Sequence, residues 1–127
     1  MVVDDEVSIR KVLKRRLESW GYEVLLAADG ERALERVDQD SPDLMVLDIM
    51  LPKMSGYDVL KALADRRRSK TPARRMPPPV VVLSAKGEGV RDLFETEGVV
   101  GYMAKPLDPQ TLRTKIEEGL SAGNKEA

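Results

Sequence analysis

Apolar residues recur along the chain in two kinds of pattern, and the two kinds alternate. Short, fully apolar runs at 44–47 and 80–83 are typical of strands covered on both faces in a parallel sheet. Shorter strands are predicted at the first residues, at 22–28 and at 99–103. Apolar residues at helical spacing, with polar residues between them, predict helices at 8–20, 29–37, 55–63 and 108–120 and a weak helix around 90–94.

Local signals mark the ends of several predicted helices. Asp29 and Asp108 are candidate N-caps, and a proline follows Asp108 at the first helical position. Ser55 and Asp58 have the spacing of a capping box. Gly21 is placed to end the first helix, because glycine readily adopts the left-handed conformation found after helices.

The alternation of strands and helices predicts an α/β fold, a doubly wound parallel sheet with right-handed crossovers and helices on both faces. In such sheets the functional crevice lies beyond the carboxyl ends of the strands. Polar residues stand at four of these ends: Asp4 with Asp5, then Asp48, Ser84 and Lys105. We therefore expect these side chains to meet in one site.

Composition narrows the classes of protein that this chain can be. A length of 127 residues with 42% hydrophobic content supports one domain, expected at 1–121 with a polar C-terminal tail at 122–127. With 21 basic and 22 acidic side chains the formal net charge is -1, which gives no positive field to attract nucleic acid or an anionic membrane. No apolar run is long enough to cross a bilayer and no export signal is present, so a cytoplasmic location is expected.

The acids at the strand ends predict a metal site. Carboxylates at one edge of a sheet repel one another, and a divalent cation relieves that repulsion. The chain has no histidine and no cysteine, so every ligand would be oxygen, which favours Mg²⁺ or Mn²⁺ over zinc. Lys105 adds an ammonium and Ser84 a hydroxyl. Such a site can neutralise charge during in-line phosphoryl transfer, with Asp48 as the nucleophile.

Four motifs in order resemble the receiver domain of response regulators in two-component signalling, the superfamily of CheY. They are Val2-Val3-Asp4-Asp5-Glu6, the stretch 43–52 with Gly56, Leu83-Ser84-Ala85, and Tyr102 followed by Lys105-Pro106. The resemblance covers nearly the whole chain. It implies a flavodoxin-like sheet of five strands in the order 2-1-3-4-5, and a regulatory module rather than an enzyme.

The resemblance also implies how the acids act. Asp48 would receive a phosphoryl group from the phosphohistidine of a histidine kinase or a histidine phosphotransfer protein, or from a small acyl phosphate. Asp5, Asp48 and the backbone carbonyl of Met50 would bind Mg²⁺ directly, and Asp4 would help largely through water.

The remaining motif residues are expected to read out phosphorylation. Ser84 and Lys105 would contact the phosphoryl oxygens, and movement of Ser84 would be coupled to the rotamer of Tyr102. The bond before Pro106 would be cis. The resemblance further implies a downstream effector, which the sequence does not identify, and a dimer through the predicted fourth helix, fifth strand and last helix.

Two features depart from the resemblance. The family has several apolar residues before its acidic pair, whereas this chain begins Met1-Val2-Val3, so we expect a short central strand and lower stability. The stretch 66–79 is longer than usual and holds six basic residues and no acidic ones. It is expected to be a solvated surface excursion, with docking of an acidic partner or nucleic acid as the alternative.

Other interpretations of the same residues stay open at this point. Ser84 can be a turn former, and Tyr102 can be an aromatic residue that only packs on the sheet. A haloacid-dehalogenase-like phosphatase also forms an aspartyl-phosphate, but it carries a second acid two residues after the nucleophile, where this chain has Met50. A scaffold that is never phosphorylated would be expected to have lost one of the motif residues.

Overall fold

The structure is a computed structural model, and it describes residues 1–68, 76–84, 98–105 and 107–126. Within these residues strands and helices alternate along the chain. In order they are β1 (Val2–Val3), α1 (Val7–Ser19), β2 (Leu26–Ala27), α2 (Gly30–Asp40), β3 (Met45–Asp48), α3 (Gly56–Arg68), β4 (Val80–Ser84), β5 (Val99–Ala104) and α4 (Pro109–Glu126).

The five strands form one parallel sheet of order β2-β1-β3-β4-β5. This is the order that the resemblance to receiver domains implied, and the predicted fold class is confirmed. Because every strand runs in the same direction, the carboxyl ends of all five lie along one edge of the sheet.

Two apolar clusters fill the space between the sheet and the helices on its faces. Successive strand residues point to opposite faces, so Val3 and Leu47 join the cluster that contains α2 and α3. Val2 and Val46 join the cluster that contains α1 and α4. β3 and β4 are buried along their whole length, as expected for apolar runs covered on both sides.

The predicted helix ends are present. The side chains of Asp29 and Asp108 each accept a hydrogen bond from the backbone N–H three residues later, at 2.8 and 2.9 Å. Ser55 and Asp58 exchange hydrogen bonds in a capping box. Gly21 follows α1 with φ of 91°, in the left-handed region where a side chain would be strained.

β2 is shorter than the stretch 22–28 that the sequence predicted. β1 consists only of Val2 and Val3, which pair with Leu26 and Ala27, so the ladder with β2 ends at the Leu25 carbonyl, which accepts from the Val2 N–H at 2.8 Å. A cleft of about 450 Å³ opens at this end of the sheet, between the segment before β2 and the segment before β3. Met1 forms part of its lining. The predicted shortness of the first strand, β1, therefore also limits its neighbour β2.

The interpretation of 66–79 as a solvated excursion is wrong for its first residues. Arg66 to Arg68 belong to α3. The Arg66 guanidinium donates to Asp38 on α2 at 3.0 Å. Arg67 donates to the backbone carbonyls of Pro77 and Pro78 at 3.1 and 3.2 Å, and so fastens the end of α3 to the segment that enters β4.

Several predictions fall outside the described residues. These are the weak helix around 90–94, the cis bond before Pro106, and the basic residues of 69–75. α4 begins at Pro109 as predicted and continues to Glu126, so the backbone of 122–126 is helical. In the part of the chain that the structure describes, no helix is both long and apolar enough to cross a membrane.

Candidate functional site

The parallel sheet brings four of the predicted residues together at its carboxyl edge. Asp4 directly follows β1, Asp48 ends β3, and Lys105 directly follows β5. The Lys105 ammonium lies 3.0 Å from Asp48 Oδ2 and 3.2 Å from Asp4 Oδ2. Carboxylate oxygens of Asp4, Asp5 and Asp48 all lie within 4.8 Å of one another. Residues that are up to 101 positions apart in the chain thus surround one point.

Asp48 is held by its own loop as well as by Lys105. Only 4% of the residue is exposed. Its Oδ1 accepts a hydrogen bond from the Met50 N–H at 2.9 Å, which leaves Oδ2 to the ammonium. The chain then turns back into α3, where the Gly56 N–H donates to the Ile49 carbonyl at 3.0 Å. The acid is therefore fixed in both position and orientation.

Gly56 is required by this close approach. A Cβ added there would lie 2.6 Å from Ile49 Cα and 2.9 Å from the Asp48 carbonyl oxygen. Both atoms belong to the backbone at the end of β3, so a side chain could not be accommodated without moving the candidate site itself.

Asp4 is the buried member of the acidic group, with no exposed surface. Its Oδ1 accepts from the Glu6 N–H at 3.0 Å, and its Oδ2 accepts from Lys105. Burial raises the pKa of Asp4 above its ordinary value, and the bonds from Glu6 and Lys105 offset part of that effect. Burial alone would lower the pKa of Lys105, but the bond to Asp48 and the charges of both acids outweigh it and raise that pKa.

The other predicted residues lie around this group. Asp5 is exposed at the mouth of the site, and the side chain of Met50 is also exposed. Ser84 is buried at the end of β4, and its carbonyl accepts from the Lys105 N–H at 2.8 Å. Tyr102 lies on β5 with 36% of its surface exposed.

Among the residues that the structure describes, sequence reasoning missed one that touches the site. Arg10 on α1 donates from Nη1 to the Asp4 carbonyl oxygen at 2.6 Å. In the sequence it is one of several basic residues on an amphipathic helix, and its neighbours Lys11 and Lys14 look equivalent to it. The only available signal is its spacing, one helical turn beyond Glu6.

The donor set fits a hard divalent cation. Three carboxylates within 4.8 Å provide oxygen ligands and an excess of negative charge, and the chain has no histidine or cysteine to favour a softer metal. Lys105 neutralises part of that charge, while exposed Asp5 keeps the group open to solvent. This is the chemistry expected of a Mg²⁺ site.

Known proteins share both the sequence and the fold. A family model described as the response regulator receiver domain matches residues 1–117. The chain is 39% identical, over its whole length, to the probable transcriptional regulator ycf27 of Guillardia theta. It is 38% identical, over 92% of its length, to the alkaline phosphatase synthesis transcriptional regulatory protein PhoP of Bacillus subtilis. This chain belongs to the response regulator receiver domain family, and it is a receiver domain of the two-component type.

Solved structures agree with the fold. The crystal structure of a CheY-like receiver domain protein from Methanospirillum hungatei matches with a TM-score of 0.82 and 28% identity, covering 99% of this chain and 95% of that one. Chemotaxis protein CheY4 of Vibrio cholerae matches with a TM-score of 0.77 and 28% identity, covering 93% of this chain and 94% of that one. By contrast, the chain spans about half the length of the curated relatives, 47% of the Guillardia protein and 46% of PhoP.

Proposed function

We propose that this receiver domain is a switch in which Asp48 accepts a phosphoryl group in a Mg²⁺-dependent reaction. The donor is the phosphohistidine of a histidine kinase or of a histidine phosphotransfer protein, and a small acyl phosphate can replace it. The domain, assigned to 1–121, promotes only its own phosphorylation and dephosphorylation. We therefore class it as a regulatory module and not as a metabolic enzyme.

One observation carries this proposal. Asp48 lies 3.0 Å from the Lys105 ammonium and belongs to a group of three acids whose oxygens lie within 4.8 Å of one another. A nucleophilic carboxylate needs nearby positive charge when a negatively charged phosphoryl donor approaches it. Lys105 supplies one such charge, and a cation held by the acids supplies the other.

In the proposed transfer, a carboxylate oxygen of Asp48 forms a bond to phosphorus while the bond between phosphorus and the donor breaks. The donor leaves with that electron pair. The Lys105 ammonium neutralises charge on the phosphoryl oxygens, and the Ser84 hydroxyl donates a hydrogen bond to one of them. The buried backbone at the end of β3 holds the acid in place throughout.

The acidic group would hold the cation. Asp5, Asp48 and the backbone carbonyl of Met50 are the proposed direct ligands, and Asp4 contributes largely through water. When bound, Mg²⁺ supplies positive charge that offsets the repulsion between the acids and the phosphoryl oxygens.

Phosphorylation is proposed to change a surface that a partner reads. Ser84 and Tyr102 are the switch residues, and the effector is either another protein or a part of the polypeptide beyond this chain. Two curated relatives are named as transcriptional regulators, and this chain matches about half of each. We propose that it does not bind nucleic acid or membrane itself, that it acts in the cytoplasm, and that a dimer can form through the surface of β5 and α4.

The proposal is tested by treating the protein with acetyl phosphate and Mg²⁺ and measuring its intact mass. We expect the mass of one added phosphoryl group, lost when Mg²⁺ is chelated and lost in Asp48→Asn. Asp65→Asn is the matched control, because that exposed acid near the end of α3 lies outside the acidic group. Unchanged labelling of Asp48→Asn would place the acceptor elsewhere, and rapid turnover of generic phosphate esters would indicate a phosphatase.

Lys105 is tested separately. Lys105→Ala should leave Mg²⁺ binding largely intact, slow the phosphorylation of Asp48 and impair the conformational response to it, since the ammonium is needed once the phosphoryl group arrives. Equal responses of the mutant and the wild-type protein would contradict this role.

A further inference from the structure

The turn between β1 and α1 carries one acid, Asp5, whose side chain makes no contact within the described residues that fixes its direction. Asp5 is exposed, and its carboxylate makes no hydrogen bond with any residue that the structure describes. Asp4 beside it is buried, and each of its two carboxylate oxygens accepts a hydrogen bond. The direction in which Asp5 points is therefore set by the backbone alone.

That backbone is held at three points. The Asp4 N–H donates to the Ala27 carbonyl at 3.2 Å. The Glu6 N–H donates to Asp4 Oδ1 at 3.0 Å. Arg10 Nη1 donates to the Asp4 carbonyl oxygen at 2.6 Å. The Arg10 bond is the shortest of the three, and it comes from a charged donor, which makes it stronger than a neutral one.

The position of the Arg10 bond matters because a peptide group is planar. The Asp4 carbonyl and the Asp5 N–H belong to the same plane, so fixing the oxygen fixes the rotation of the whole group. That rotation fixes the Asp5 nitrogen, which together with φ of Asp5 sets where the Cα–Cβ bond points. α1 offers no substitute at this end, since its N-cap residue Glu6 makes no side-chain capping bond.

We propose that Arg10 is a positioning residue that orients the Asp4–Asp5 peptide so that the Asp5 carboxylate faces the cation site. This inference rests on the proposed Mg²⁺ site and adds to it a residue that does not touch the cation. The Arg10 side chain is only partly exposed, so its bond is shielded from solvent more than a surface contact would be.

Positioning and simple electrostatics predict opposite results. A guanidinium near the site repels a divalent cation, so its removal would strengthen Mg²⁺ binding if charge were its only influence. If Arg10 orients Asp5, its removal weakens binding despite the loss of repulsion. The sign of the change in affinity therefore separates the two explanations.

The test measures Mg²⁺ affinity by calorimetry in the full chain. Arg10→Met keeps the apolar stem and removes the donor, and we expect binding weaker by roughly tenfold, the lower end of the effect seen when groups that orient metal ligands are removed. Arg10→Lys retains a donor on a shorter side chain and should recover part of the loss. Arg15→Met, on the exposed part of the same helix, removes the same charge and should bind as the wild type does.

A second measurement needs no cation. Hydrogen exchange of the Glu6 amide should become several-fold faster in Arg10→Met, because the turn that aligns its bond to Asp4 has lost a support. Exchange of amides in β3 should be unchanged, which also shows that the variant is folded.

The outcomes distinguish this inference from the proposed function. The role of Arg10 would be overturned if Arg10→Met bound Mg²⁺ as tightly as the wild-type protein or more tightly. If Asp5→Asn abolished the wild-type binding in the same experiments, the metal site itself would still stand. Weaker binding without faster exchange at Glu6 would also overturn positioning. Failure of the wild-type protein to bind Mg²⁺ would overturn both.

Discussion

The amino group of Met1 is buried at the amino end of the sheet, and its protonation should make the stability of this chain depend on pH. It donates to the Leu44 carbonyl at 2.7 Å, and this bond continues the pairing of β1 with β3. Burial lowers the pKa of this amine from 8.0 to about 6, and the nearby charge of Asp43 opposes part of that change.

The direction of the effect follows from the two pKa values. Between about pH 6 and pH 8 the unfolded chain, with a pKa of 8.0, binds more protons than the folded chain. The stability of the folded chain therefore rises with pH across this window. The destabilisation caused by the lowered pKa of the amine is complete below the window and absent above it. At about 1.4 kcal/mol per pH unit, the difference corresponds to roughly 3 kcal/mol.

Composition makes this effect measurable. Histidine and cysteine are absent, so no side-chain type has an ordinary pKa between 6 and 8. The single tryptophan, Trp20, packs against the core cluster of α1 and α4 and can report unfolding by fluorescence. We propose urea titrations across the window on protein with a free Met1 amine and on N-acetylated protein.

The acetylated protein is the control, because it keeps the N–H donor and loses the charge. Its stability should change much less between about pH 6 and pH 8, and the difference between the two proteins should approach roughly 3 kcal/mol at the acidic end. Parallel stability curves for the two proteins would refute the reasoning, since they would show that the amine titrates alike in the folded and unfolded chains.

Three substitutions, two of them paired with a control substitution, test other features of the fold by chemical denaturation. Gly56→Ala should destabilise by about 3 kcal/mol because its Cβ would meet rigid backbone 2.6 Å away, whereas Gly101→Ala meets only a flexible lysine stem at 3.2 Å and should have little effect. Arg67→Met should lower the free energy of unfolding by about 2 kcal/mol, because two carbonyls lose their hydrogen-bond donor. Arg66→Met breaks an ion pair with a partly exposed acid and should lower it by less than about 1 kcal/mol. Lys105→Met should lower stability by about 2 kcal/mol at neutral pH and by less as the pH falls, because burial raises the pKa of Asp4 and protonation removes the charge that Lys105 would neutralise; a loss that does not change with pH would contradict this.

The parts of the fold that local sequence controls were predictable. The apolar run before Asp48 indicated a strand buried on both faces, and that strand is β3. Asp108, followed by proline, indicated the start of the last helix, where α4 begins. Strand ends in a parallel sheet share an edge, so the convergence of Asp4, Asp48 and Lys105 followed from the order of strands and needed no contact information.

What could not be predicted depends on contacts between distant segments. The length of β2 is set by the two residues of β1 that pair with it and not by its own apolar residues. Arg10 and Arg67 each look like one basic residue among several, and only the folded chain shows that one binds the Asp4 carbonyl and the other the Pro77 carbonyl. Identical side chains acquire different roles because their neighbours come from elsewhere in the sequence.

The location of Met1 has a practical consequence for anyone who purifies this protein. β1 lies between β2 and β3, so an affinity tag fused ahead of Met1 would emerge into the cleft between two strands, only three residues from Asp4. Such a fusion would also replace the titrating amine with an amide. A tag placed after α4, whose last helical residue is Glu126, avoids both changes and is the better choice for measurements of metal binding or stability.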